Sequence, residues 1–164
     1  MTTIKTPTAV LLLEDGTKFF GESFGASGLV SGEGVFNTSI TGYQEIITDP
    51  SYDSQIITFT NPQIGNTGIN KEDIESNNVF CSGIVIRDLP ILSSNWRKTT
   101  TLINFLKKKK IIGINKIDTR MLTKILRNKG SLRGCILANK NLNIKLAHEH
   151  LKKFDGLIGK DLAK

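Results

Sequence analysis

The sequence predicts an α/β domain on a mixed sheet, β-rich in its first half and alternating strand with helix in its second. Three observations predict it. Up to Pro90, short β-branched and aromatic runs are separated by Gly, Pro and Asn. After that, apolar residues recur at helical spacing in three segments, with short apolar runs between them. The chain has 164 residues, 38% hydrophobic and 23% charged, a composition that fills one core rather than staying disordered. A single domain over residues 1–164 is therefore expected, with no repeat, linker or low-complexity tract.

Each element has its local reason. "AVLLLEDG" is an apolar run closed by Asp15-Gly16, and "TKFFGESFG" follows, so a hairpin with Asp-Gly at its tip is predicted. The glycines of "GASGLVSGEG" read as turns between strands. "GVFNTSI" and "SQIITFT" read as strands, and "VFCSGIVIRDLP" as a strand stopped by Pro90. "TTTLINFLKKKK" places Leu102, Phe105 and Leu106 on one helical face, with Lys107 to Lys110 at the C-terminus, where cations oppose the helix dipole. "IIGI" is a short buried strand. "DTRMLTKILRNKG" is a helix with Asp118 as N-cap, Leu122, Ile125 and Leu126 as apolar stripe, and Gly130 just past its end. "LRGCILA" is a strand, and "NIKLAHEHLKKF" a helix capped by Asn143.

Charge is distributed unevenly. Residues 1–96 carry 4 Lys/Arg and 11 Asp/Glu, and residues 97–164 carry 18 and 4, giving the net +7. A basic surface for nucleic acid would account for this, as would a chain-wide bias toward Lys, Ile and Asn, and the second reading is favoured. No aromatic residues interleave with the lysine run, as a nucleic-acid surface would require. No apolar run is long enough to span a membrane and no signal-peptide pattern opens the chain, so a cytoplasmic protein is expected.

Most chemical motifs are absent. Cys81 and Cys135, 54 positions apart, have neither metal nor redox spacing and read as buried, reduced thiols. His148 and His150, flanking Glu149 on a helix, point apart and read as surface residues. The glycine-rich stretch precedes a strand rather than a helix, so it is no phosphate cradle. "TGYQEIITDPSY" stands out. Asp49-Pro50-Ser51-Tyr52 fits a type I turn, with Asp accepting from the backbone, Pro presetting φ and Ser51 offering a hydroxyl at the surface.

That segment also carries a resemblance. "LEDGTKFFGESFGA", "GEGVFNTSITGYQEIITDPSYDSQIITFTNPQIGN", "GIVIRDLP", "SNWRKTTTLINFL", "IDTRMLTKILRNKG" and "GLIGKDLAK", in this order and spacing, resemble the N-terminal domain of the small subunit of glutamine-dependent carbamoyl phosphate synthetase. The resemblance implies a "swivelling" β/β/α-type three-layer domain. It implies partnership with the large subunit and with a glutaminase domain, and a cytoplasmic complex making carbamoyl phosphate from L-glutamine, bicarbonate and two ATP for arginine and pyrimidine biosynthesis. No cofactor is expected on this chain itself; ATP and Mg or Mn belong to the large subunit. The family's Cys–His–Glu glutaminase triad finds no counterpart here, because no G-x-C-x-G elbow occurs and the chain stops near the end of the family's first domain, its tail from about Phe154 leading toward the missing one. No catalytic residue or metal ligand is carried over, and the chain alone is expected to be inactive. Ser51 is carried over as a contact to L-glutamine bound in the neighbouring domain, and Tyr43, Gln44 and Glu45 as interface residues. The alternative is a stand-alone basic nucleic-acid-binding module, which would show steep salt dependence.

Overall fold

A computed structural model describes residues 7–38, 46–60, 79–88 and 103–154. Seven strands form a closed barrel: β1 (Ala9–Leu13), β2 (Lys18–Gly25), β3 (Gly28–Asn37), β4 (Gln55–Phe59), β5 (Gly83–Val85), β6 (Ile112–Asn115) and β7 (Leu132–Ala138). Around the barrel the order is β1-β2-β6-β5-β4-β3-β7, and β7 returns to β1. The β3–β4–β5–β6 pairs are parallel and the remaining pairs antiparallel. The mixed sheet of the sequence reading is therefore present. The described strands also close that sheet: β7 pairs with both β1 and β3 and β2 reaches β6, which leaves no open edge.

Helical residues 103–108 form α1, Thr119–Lys129 α2 and Ile144–Lys153 α3. Strict alternation in β1 explains why "AVLLL" is apolar throughout. Ala9, Leu11 and Leu13 join the barrel interior with Val85, Ile114 and Ile136, under Leu122 and Leu126 of α2. Val10 and Leu12 share the outer face with Cys135 and Leu137, covered by Ala147 and Leu151 of α3. Both faces are buried, so no polar position interrupts the run. A third cluster joins Ile57, Phe59, Ile84 and Ile86 to Phe105 and Leu106 of α1.

The predicted termini are present. The Asp118 carboxylate accepts from the Met121 amide at 3.0 Å, and Asn143 Oδ1 from the Leu146 amide at 3.2 Å. Gly130 takes φ +80, the left-handed region that only glycine enters without strain. The hairpin tip is Glu14-Asp15-Gly16, closed by the Leu13 amide on the Thr17 carbonyl at 2.9 Å. The lysine run is less helical than predicted. Lys110 has φ +59, its amide donates to the Lys107 carbonyl, and the Ile111 amide reaches back to the Leu106 carbonyl at 2.8 Å. That is a Schellman ending, with Lys110 where glycine usually stands.

Two further expectations are corrected. "GASGLVSGEG" is mostly strand β3 rather than turns; Gly25 and Gly28, at φ +83 and +139, bracket the one bend. Gly32 is glycine because a Cβ there would lie 2.8 Å from the Ser54 carbonyl oxygen. Among the described residues of "VFCSGIVIRDLP" only Gly83–Val85 is paired strand, extended by the Ser82 and Ile86 amides donating to the Gln55 and Ile114 carbonyls. Leu102 and the threonines predicted to open α1 lie outside the described residues.

Candidate functional site

The Ser51 turn leads into β4, which runs parallel to β3. Pro50–Tyr52 forms one 3-10 turn. Asp49 Oδ1 accepts from the Ser51 amide at 2.9 Å, and the Tyr52 amide donates to the Asp49 carbonyl at 3.1 Å. These are the bonds of the predicted type I turn, continued once by the Asp53 amide on the Pro50 carbonyl.

Two anchors hold the turn. Tyr52 is half-buried against the cluster of Ile57 and Phe59, and its hydroxyl accepts from Asn37 Nδ2 at 3.1 Å. Ser54 takes φ +61; its carbonyl accepts from the Glu33 amide at 3.1 Å while its amide donates toward the Phe80 carbonyl. Ser51 itself is exposed between these anchors. The arrangement presents a hydroxyl on fixed backbone and provides no base to activate it among the described residues, which suits binding and orienting a ligand rather than attacking one. Tyr43, Gln44 and Glu45 lie outside the described residues.

The thiols offer no alternative chemistry. Burial pushes Cys81 up to about 12 and Cys135 up to about 11, the latter eased by a hydrogen bond with Ser31. Neither forms appreciable thiolate at neutral pH. Among the described residues no group of three or more His, Cys, Asp or Glu side chains could hold a metal ion. His148 is exposed as predicted, but His150 is not a simple surface residue: its Nδ1 lies 2.6 Å from Ser31 Oγ, between α3 and β3. The i+3 relation of His150 to the buried Ala147 was the available signal, and adjacency to the exposed Glu149 masked it.

A second concavity has no motif to announce it. Arg120, Lys124 and Arg127 of α2 face Arg87 and the ends of β3 and β4 across a cleft of about 610 Å³. The spacing of four and three along "DTRMLTKILRNKG" is legible, but the apolar stripe of the same helix is the stronger signal.

The turn and its setting have clear relatives. Residues 11–136 match the family model of the carbamoyl-phosphate synthase small chain, CPSase domain. The chain belongs to the carbamoyl-phosphate synthase small-chain family. It is 59% identical over 157 residues to the carbamoyl phosphate synthase small chain of Photobacterium profundum, covering 96% of this chain and 41% of that protein. The small chains of Salmonella typhimurium and Escherichia coli K12 are 56% and 55% identical over the same shares. The carbamoyl-phosphate synthase segment seen here thus spans about two fifths of the length of those relatives. Among solved structures, a peptidase M28 precursor from Shewanella amazonensis gives a TM-score of 0.45 at 10% identity over 80% of this chain and 34% of that one, too loose to carry an argument.

Proposed function

We propose that the chain is the N-terminal domain of the small subunit of glutamine-dependent carbamoyl phosphate synthetase. In this reading it docks on the large subunit, and its Ser51 completes the glutamine site of a glutaminase domain. The observation that carries the reading is the family match over residues 11–136, which encloses the barrel core and the Ser51 turn. The fixed, exposed hydroxyl of Ser51 supports the second half: it can bind a polar end of L-glutamine while the attacking group sits elsewhere.

The chemistry then divides between domains. The glutaminase domain releases ammonia, and the large subunit, with ATP and Mg or Mn, converts bicarbonate and ammonia to carbamoyl phosphate for arginine and pyrimidine synthesis in the cytoplasm. This chain binds no cofactor and carries no catalytic residue in that scheme. Tyr43, Gln44 and Glu45 touch the neighbouring domain. Nothing in the relatives favours a stand-alone nucleic-acid-binding module.

The test adds purified chain to the large subunit and follows association together with carbamoyl phosphate synthesis. Saturable binding, ammonia-dependent synthesis and no glutamine-dependent synthesis are expected. Failure to bind the large subunit would sink the docking role. Glutamine-dependent synthesis would sink the claim that the nucleophile lies on another domain, and replacing Cys81 and Cys135 in turn would then locate it.

A further inference from the structure

Four cationic side chains converge on the cleft where the parallel strands β3, β4 and β5 end: Arg87 beyond β5, and Arg120, Lys124 and Arg127 along α2. The spacings i, i+4 and i+7 put the last three on one helical face. Among the described residues no carboxylate lines the cleft. Among those residues, too, Arg120, Lys124 and Arg127 have no ion-pair partner, and Arg87 meets only the exposed Asp88, at 3.8 Å. Gathering three further cations beside that one pair is unfavourable, and a bound anion reverses the sign of that term.

The neighbouring groups narrow the ligand. Thr60 donates its hydroxyl to the Asn37 carbonyl at 3.2 Å, and Thr123 donates to the Thr119 carbonyl at 2.7 Å. Those two hydroxyls are committed, and the charged donors of the cleft are the guanidinium and ammonium groups, beside the polar side chains of Thr38, Thr119 and Asn128. The Arg127 guanidinium lies 5.7 Å from the Phe36 ring centroid, which steadies it over an aromatic face while the N–H groups at its edge remain available to donate. Planar guanidinium forks match phosphate oxygens in pairs. The volume is that of a small-molecule site, and the carboxyl ends of parallel strands are where α/β folds place such ligands.

The geometry points to a binding site for a small phosphorylated ligand in this cleft, held by Arg87, Arg120, Lys124 and Arg127. It goes beyond the proposed synthetase role and stands or falls independently of it. A single-stranded nucleic acid fits less well, because no aromatic side chain among the described residues lines the cleft to stack a base.

Isothermal titration of the full 164-residue chain with sodium pyrophosphate at constant ionic strength tests this, with sodium acetate as the control anion. Saturable one-to-one binding of pyrophosphate and none of acetate is expected. Arg120→Gln and Arg127→Gln should each weaken it about tenfold, as loss of roughly one charged hydrogen bond would. Lys145→Gln, on the exposed side of α3, should leave it unchanged. Circular dichroism confirms folding; if either arginine variant fails to fold, Lys124→Gln is read in its place. No saturable pyrophosphate binding, or full binding in the folded variants, overturns the site. So does a single-stranded RNA oligonucleotide that binds with steep salt dependence and is not displaced by pyrophosphate, since that would make the patch a nucleic-acid surface.

Discussion

Ser51 owes its placement to its neighbours. Asp49 fixes its amide, Pro50 its entry and Tyr52 its depth, while its own side chain is exposed and makes no hydrogen bond among the described residues. Ser51→Ala in a complete small chain paired with its large subunit should therefore leave stability and ammonia-dependent synthesis unchanged. It should raise the KM for glutamine by about 2- to 10-fold, the worth of one hydrogen bond. An unchanged KM would remove Ser51 from the glutamine site. At the same scale, the buried thiols of Cys81 and Cys135 should resist iodoacetamide at pH 8 in the folded chain and react fully in urea, because values of about 12 and about 11 leave almost no thiolate. Rapid native labelling of either would contradict their burial. The Ser51 turn was legible because Asp-Pro-Ser encodes it locally. The Ser31–His150 contact was not, because it joins residues 119 positions apart.

Elements followed the sequence where the signal was local. Asp118 and Asn143 cap their helices as their residue types predict, so Asp118→Ala and Asn143→Ala should each lower stability by about 1 kcal/mol in urea unfolding. A loss below a few tenths would mean that packing on the barrel, not the cap, sets those helix starts. The glycines of β3 were read as turns because the close packing that requires glycine in a strand is not a local signal. The same packing holds at Gly113 of β6, whose strand was foreseen. Gly113 lies under the Phe24 ring, and a Cβ there would fall 2.6 Å from its Cζ. Gly113→Ala should cost about 1–3 kcal/mol by overpacking, and pairing it with Phe24→Leu should recover part of that loss. A neutral Gly113→Ala would show that the ring moves freely.

At the scale of the molecule, long-range polar contacts tie the hairpin to the second half of the chain. Arg133 meets Glu14 at 3.2 Å and the Phe154 carbonyl at 2.9 Å, joining hairpin, β7 and the end of α3. Lys129 at the end of α2 reaches Asp15 at 2.9 Å. Desolvation raises the Asp15 pKa, but its bonds to Lys129 and Thr17 outweigh that and hold the carboxyl below the usual range. A depressed pKa stabilises the fold above the unfolded value of about 4 and ceases to do so as pH falls through the folded value. Wild type should thus exceed Asp15→Asn in stability at pH 7, and the gap should close in acid. A gap constant from pH 7 to pH 2 would show that the Asp15 charge contributes nothing.

Taken alone, the sequence determined the elements with local causes: the Asp-Gly hairpin, both capped helices, the "LRGCILA" strand, the Asp49–Tyr52 turn and, through its motifs, the family. Tertiary structure decided what depends on pairing between distant strands. It closed the mixed sheet into a barrel, turned the glycine-rich stretch into β3, set His150 against Ser31 and drew Arg87 toward three cations of α2. The division has one physical reason. Caps and turns are satisfied by hydrogen bonds within a few residues, whereas barrel closure and charge convergence are set by strand register, which no single segment encodes.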